Sequence, residues 1–391
     1  MNAVASNSQE LSKVIFQQIT TSSQQRITFA EFMNLVLYHQ QFGYYSSGVA
    51  NIGSAGDFFT SSSLGRDFGE LLATQLVEMW QNLGSPDRFT VVEMGAGNGS
   101  LAADILAYVR ENELDFTKAL EYIIIERSPA LIARQQKLLK SFSDLNLTWK
   151  TWAEIPDNYI VGCCFANELV DAFPVHQLMV RSQKLKEVYL TVRENQLTEV
   201  VGELSTSKLK DYFNALDLDL TSERYPDNYR TEVNLTALDW LKTITRKLKK
   251  GYLITIDYGY TAEKYYHPQR SQGTLQCYYR HRRHNNPYVN LGEQDLTTHV
   301  DFTALERQGK LLGLENIGFT KQGMFLMALG LSDRLNKLSS GEFSPDQIFK
   351  RRDALHQLIS PTGLGSFGVL IQGKDVANSS SLRGLKIPAM R

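Results

Sequence analysis

Apolar positions along this chain recur with two different periods, and each change of period marks a new element. From residue 8 to residue 40 the spacing is helical. Leu11, Val14, Ile15 and Ile19 share one face, and Phe29, Phe32, Leu35 and Val36 share the next. Thr28 followed three residues later by Glu31 is a capping-box pattern at the start of the second helix. A glycine-rich stretch, "FGYYSSGVANIGSAGDFFTSSS", comes next, and a further helical pattern runs from about Arg66 to Leu83. Beyond it, short apolar runs alternate with helical patterns: "FTVVEM", "YIIIE", "LNLTW", "VGCCFAN", "GYLITIDYG" and, near the end, "GSFGVLIQG". Alternation of this kind predicts crossover units around a parallel sheet, an α/β fold.

Two segments break the rhythm. "HQLMVRSQKLKEVYLTVRENQLTEVV" alternates apolar and polar residues as antiparallel hairpins do. "YYHPQRSQGTLQCYYRHRRHNNPYVNLGEQDLTTHV" is polar, aromatic and turn-rich, and follows a predicted strand end, where long ordered insertions tend to carry function. The expected organisation is a helical N-terminal extension over residues 1–86, including the glycine-rich loop, followed by an α/β domain over residues 87–391. That domain carries insertions at about 176–230 and 260–300.

Charge narrows the function classes. Lys plus Arg is 41 and Asp plus Glu is 42, so a net charge of -1 argues against a dominant nucleic-acid surface. Cys163, Cys164 and Cys277 are too few for a disulfide framework and fit a reducing compartment. No apolar run reaches the ~18 residues of a membrane span. The opening "MNAVASNSQELSKVIFQQIT" lacks an arginine and lacks a basic region leading into an apolar core, so a cytoplasmic location is expected.

The chemistry begins at "VVEMGAGNGSLAADIL", where an apolar run ends in Gly95, Gly97 and Gly99. A dinucleotide fingerprint needs a third glycine where Ser100 stands, and a Walker A loop needs a closing Lys-Ser or Lys-Thr that is absent here. Glycines let a backbone approach a flat, uncharged nucleoside closely. Glu93 precedes the turn, and Glu126 ends the next apolar run, where a carboxylate can accept both hydroxyls of a ribose. The combination favours S-adenosyl-L-methionine over a dinucleotide. The competing reading is a tight strand-to-helix turn beside an ordinary surface glutamate.

From "CFANELVDAFPV" onward, together with "IGSAGDFFT", "IDYGY", "GTLQCYYRH" and "QDLTTHVDF", the chain resembles the MidA-like methyltransferases, whose mitochondrial members are complex I assembly arginine methyltransferases. The likeness spans about residues 28–330 and keeps motif order. It implies a class I Rossmann-like methyltransferase with a seven-stranded, mostly parallel sheet, a helical N-terminal extension and insertions after strands four and five. It also implies S-adenosyl-L-methionine as cofactor, arginine methylation of a protein substrate such as a complex I-type subunit, and no membrane insertion. By the same likeness the cofactor would be bound by Gly53, Gly56, Asp57, Phe58 and Thr60 in the glycine-rich loop, and by Glu93, Gly95, Gly97, Asn98 and Gly99 in the turn. Asn167, by the same likeness, and Glu126, by its place at the end of the second apolar run, complete the expected cofactor contacts. Relatives often carry Pro and Arg where Ala96 and Asn98 stand, and a Pro-Glu pair near Ser61 and Ser62.

Methyl transfer to arginine needs carboxylates to orient a delocalised guanidinium and a base to take one proton. Asn167, Glu168 and Asp171 follow the fourth apolar run and are the first candidates; the alternative is a strand-end Asn capping a helix, with exposed acids beside it. Asp257 is a second acidic candidate or else a buried acid bonded to loop amides. His281 and His299 are candidates for the base, or for hydrogen bonds that fold the insertion. Cys277, His281 and His284 lack a fourth ligand at a zinc spacing, so no metal is expected. Arg280, Arg282 and Arg283 read as a solvated face or a contact with an acidic protein partner, ahead of an RNA grip. Asp301 reads as a helix N-cap. Two rivals stand beside arginine methylation: a methyltransferase for RNA or a small molecule, and a non-catalytic cofactor-binding assembly factor.

Overall fold

The computed structural model describes residues 2–48, 61, 64–280, 282–339, 343–376 and 382–387, with side chains from residue 7 onward. The chain divides into two compact units. One gathers Met1–Asn51, Val170–Leu241 and Gly259–Gln308; the other gathers Ile52–Leu169, Lys242–Tyr258 and Gly309–Arg391.

The second unit holds a seven-stranded sheet: β1 (Phe89–Met94), β2 (Leu120–Ile125), β3 (Leu147–Trp149), β4 (Ile160–Asn167), β5 (Leu248–Asp257), β6 (Glu315–Lys321) and β7 (Gly368–Lys374). Their spatial order is β6-β7-β5-β4-β1-β2-β3. The five strands from β5 to β3 are parallel, while β7 runs antiparallel to both β5 and β6. β1 and β2 are buried along their whole length, which is why they read as unbroken apolar runs rather than alternating ones. Helices Ser100–Asn112 and Pro129–Leu138 follow β1 and β2, and helix Asp67–Asn82 lies within one residue of its expected bounds. One continuous core joins Phe68, Leu72, Val91, Ile105, Phe165 and Ile254, all within 2 % of full burial.

The main sheet of the first unit is antiparallel. It runs in the order Ile27–Thr28, Lys184–Arg193, His176–Arg181, Arg230–Val233, with Gln196–Gly202 also paired to Lys184–Arg193, so the expected hairpins are present. Thr28 caps helix Phe29–Tyr38 with the full capping box to Glu31. The first helix, Asn2–Thr21, buries Leu11, Ile15 and Ile19. Asp301 Oδ1 accepts the Ala304 amide at 3.1 Å and so caps helix Phe302–Leu311, as its sequence position predicts.

Candidate active site

The glycine turn leaves the carboxyl end of β1. Gly95, Gly97 and Gly99 have φ of 72°, 55° and 87°, all in the left-handed region where a side chain is strained. At Gly95 space forbids a side chain too, since an added Cβ would lie 2.7 Å from Leu169 Cδ1. The Gly95 amide donates to the Ile125 carbonyl at 3.0 Å, which ties the turn to the end of β2. Asn98 Oδ1 accepts from the Ser100 amide at 3.0 Å and the Ser100 hydroxyl at 2.7 Å, at the start of helix Ser100–Asn112.

Glu126 stands immediately beyond β2. Its Oε1 accepts the Arg127 and Ser128 amides at 2.7 and 3.0 Å, and its Oε2 accepts Gln135 Nε2 at 3.3 Å. Burial raises its pKa above the ordinary value, against the pull of those hydrogen bonds. A carboxylate has about four acceptor positions. With one oxygen fixed by amides and the other holding a single long bond, Glu126 can still accept hydroxyl hydrogens.

Sequence reasoning missed Gln135. This fully buried side chain sits on helix Pro129–Leu138, donates to the Gly97 carbonyl at 2.8 Å and accepts Trp149 Nε1 at 2.9 Å. It thus braces the glycine turn against Glu126 and β3. The one available signal was a polar residue at a helix position that periodicity assigns to the inward face.

Glu93 is 3 % exposed and accepts the Tyr122 hydroxyl at 2.7 Å. Burial pushes its pKa up to about 7; the Tyr122 bond opposes the shift and the Glu126 charge adds to it. A carboxyl raised by folding weighs against the folded state once it ionises in the unfolded chain. That penalty is absent below pH 4.5, grows as pH rises to about 7 and stays constant above. Glu93→Gln keeps an acceptor for Tyr122 and removes the charge. Across this window the wild type is expected to lose ~3 kcal/mol of stability relative to the variant. Urea unfolding of both proteins on either side of the window checks it, and parallel pH profiles would rule it out.

β4 ends at Asn167, whose Nδ2 donates to Glu168 Oε1 at 3.2 Å. Asn167 Oδ1 is buried with no hydrogen-bond partner among the described residues. Glu168 has φ of 51°, an uncommon conformation for a residue with a side chain, and its amide donates to the Ile256 carbonyl on β5 at 2.9 Å. Its Oε1 also accepts the Ser61 amide at 2.9 Å, and Ser61 Oγ donates to Gln322 Oε1 at 3.1 Å. Asp257, fully buried at the end of β5, accepts the Tyr258 amide at 2.8 Å.

The remaining candidates belong to the first unit or lie outside the described residues. Asp171 belongs to the first unit, 6 % exposed, and its carbonyl accepts the Thr298 amide at 2.9 Å. His299 is in that unit too, stacked on Tyr260 with ring centroids 4.8 Å apart. Burial, followed by the charge of Arg270, lowers its pKa to about 4, so the imidazole is neutral at physiological pH and takes up a proton only weakly. Gly53, Gly56, Asp57, Phe58, Thr60 and His281 lie outside the described residues.

These residues fit a nucleoside with a charged tail. The positive-φ turn gives close backbone approach, Glu126 retains acceptor capacity, and the orphaned Asn167 oxygen calls for a donor such as an ammonium. The strand order, with a glycine turn after β1 and an acid after β2, defines a class I methyltransferase. The chain belongs to the family described as "Putative S-adenosyl-L-methionine-dependent methyltransferase", matched over residues 71–320. It is an enzyme whose cofactor is S-adenosyl-L-methionine. When bound, that cofactor supplies a methyl group on a sulfonium sulfur.

Among its relatives, the Drosophila melanogaster protein arginine methyltransferase NDUFAF7 homolog, mitochondrial, is 27% identical over 87% of this chain and 79% of its own length. The Caenorhabditis elegans homolog of the same name is 28% identical over 89% and 81%. A Burkholderia thailandensis structure, described as a likely methyl transferase bound to S-adenosyl-homocysteine, superposes with a TM-score of 0.84 at 27% identity. That match covers 98% of this chain and 96% of the other. The expected cytoplasmic location does not stand, because the curated relatives are named as mitochondrial. The physical reason is that the opening residues are part of the fold: Leu11, Ile15 and Ile19 are core positions, so their pattern reports packing and not an address. No described helix is long and apolar enough to cross a membrane.

Proposed function

We infer that the protein transfers methyl groups from S-adenosyl-L-methionine to arginine on a protein substrate. The observation that carries this reading is the run of relatives named protein arginine methyltransferases, aligned over most of this chain and most of their own length. The site agrees with it chemically. Arginine stays protonated in proteins, so its methylation needs acids that hold the guanidinium and accept a proton as the new carbon–nitrogen bond forms. Glu168 follows the last residue of β4 and Asp257 is the last residue of β5, where ligands of open α/β sheets bind. A subunit of an NAD(P)H-quinone oxidoreductase of the complex I type is the proposed target, with dimethylation supporting its assembly. Family resemblance alone supplies that target.

Incubation with methyl-labelled cofactor and cell extract, followed by mass spectrometry, tests the reading. Label is expected on arginine of a protein and absent with Glu126→Ala. Label confined to RNA or metabolites, or cofactor binding with no turnover, would overturn it.

A further inference from the structure

The helix that follows β2 buries Leu131 and Gln135, four residues apart on its inward face. An apolar residue suits that face. A buried amide there costs stability unless its groups are bonded, so the bonds of Gln135 set what the position is for.

The helix is seated by residues that also hold Glu126. Ser128 donates its amide to Glu126 Oε1 at 3.0 Å and accepts the Leu131 amide on its hydroxyl at 3.3 Å, and Pro129 opens the first turn. Gln135 is thereby delivered against the glycine turn. A Cβ added at Gly99 would lie 3.3 Å from Gln135 Cγ and 3.4 Å from its Cα.

Each polar partner of Gln135 has a single polarity. The Gly97 carbonyl and Glu126 Oε2 accept from Nε2 at 2.8 and 3.3 Å, and the Trp149 indole N–H, which can only donate, gives its hydrogen to Oε1 at 2.9 Å. One orientation of the amide meets all three. Turned over, it would set its oxygen against two acceptors and its N–H groups against a third N–H. Removing the Trp149 donor leaves Oε1 a buried acceptor without a partner, and the amide is then drawn away from the turn toward any donor it can reach. Trp149 is the last residue of β3, the edge strand of the sheet, while Gly97 and Glu126 lie beyond β1 and β2. All four residues belong to the second unit.

We propose that Trp149 is a positioning residue for the cofactor: its indole N–H fixes which way the Gln135 amide faces, and so holds the Gly97 carbonyl and the Glu126 carboxylate in their binding arrangement. It acts through Gln135. The assignment concerns the cofactor alone and stands or falls apart from the substrate that takes the methyl group.

Calorimetry with S-adenosyl-homocysteine on wild type, Trp149→Phe, Gln135→Met and the double variant tests it. Trp149→Phe keeps an aromatic ring and removes the N–H; Gln135→Met keeps an unbranched chain and removes the amide. Losses of about fivefold and about tenfold are expected. Because the two residues act in series, the double variant should bind no more weakly than Gln135→Met. Losses that multiply, or wild-type affinity in Trp149→Phe, would overturn the assignment. Amide hydrogen exchange followed by NMR separates the relay from a general loosening. The Gln135 side-chain amide should exchange at least ~10-fold faster in Trp149→Phe, whereas the Gly95 amide, bonded to the Ile125 carbonyl, should keep its rate. Acceleration of both, or of neither, would also overturn it. This readout carries the test if Gln135→Met fails to fold.

Discussion

Gly162→Ala is expected to leave the second unit unable to form its central sheet, with a loss of stability above ~4 kcal/mol. Thr90 on β1, Gly162 on β4 and Gly251 on β5 lie side by side in register. Gly162 has φ of 155°, and a Cβ added there would lie 2.1 Å from the Thr90 carbonyl oxygen and 2.8 Å from the Thr90 nitrogen. Gly251 repeats the arrangement, with its Cβ position 1.9 Å from the Gly162 oxygen. Both obstacles are backbone atoms of hydrogen-bonded strands, so no rotamer change relieves them and the strands must separate.

Two comparisons make the expectation specific. Trimming the neighbour in a Thr90→Ala/Gly162→Ala double variant should restore nothing, because the clash is with Thr90 main chain. Gly84→Ala also places a side chain at positive φ, 86°, but meets nothing within 4 Å, and it should cost only ~1 kcal/mol. Urea unfolding of the four proteins reads the order. Gly162→Ala with a stability near that of Gly84→Ala would contradict the close strand approach. The row lies toward the start of β4, at the opposite end from Asn167, so whatever fraction folds should keep its cofactor affinity.

How far the sequence announced this architecture depended on how each strand is buried. β1, β2, β4, β5 and β7 are covered on both faces and stood out as apolar runs. β6, "ENIGFTK", carries no run. It is an edge strand with exposed ends, and its pairing with β7 slips between Asn316 and Gly318. The glycine turn and Glu126 were legible because both depend on residue type at the end of a strand. Gln135 was not, since its role comes from three bonds to residues distant in sequence. The left-handed backbone of Glu168 was hidden for a related reason: the strained conformation accompanies a bond to β5 and a side-chain contact with Ser61. The strand register inside the insertion, with Asp295 opposite Tyr278, was unreadable. Chain order had suggested a polar, turn-rich insertion that carries function, without its strand pairing.

Glu126→Ala is expected to lower affinity for S-adenosyl-homocysteine by about two orders of magnitude, some 3 kcal/mol. Two hydroxyl donors of a ribose meeting one carboxylate make charge-assisted bonds, stronger than neutral ones, and alanine leaves both without an acceptor. Glu126→Gln keeps one acceptor and loses the charge, so its loss should be nearer tenfold. A second route to weaker binding must be separated out. Glu126 also accepts the Arg127 and Ser128 amides and, through Gln135, is linked to the Gly97 carbonyl, so loosening of the turn itself is the second route. An analogue lacking both ribose hydroxyls distinguishes the two routes by a thermodynamic cycle. Direct acceptance predicts that wild type and Glu126→Ala bind the analogue equally, the difference appearing only with the intact nucleoside. A loosened turn predicts the same deficit with both ligands. Calorimetry with the four combinations measures the coupling, and a coupling near zero would remove Glu126 from the ribose contact while leaving Gln135 as the brace of the glycine turn.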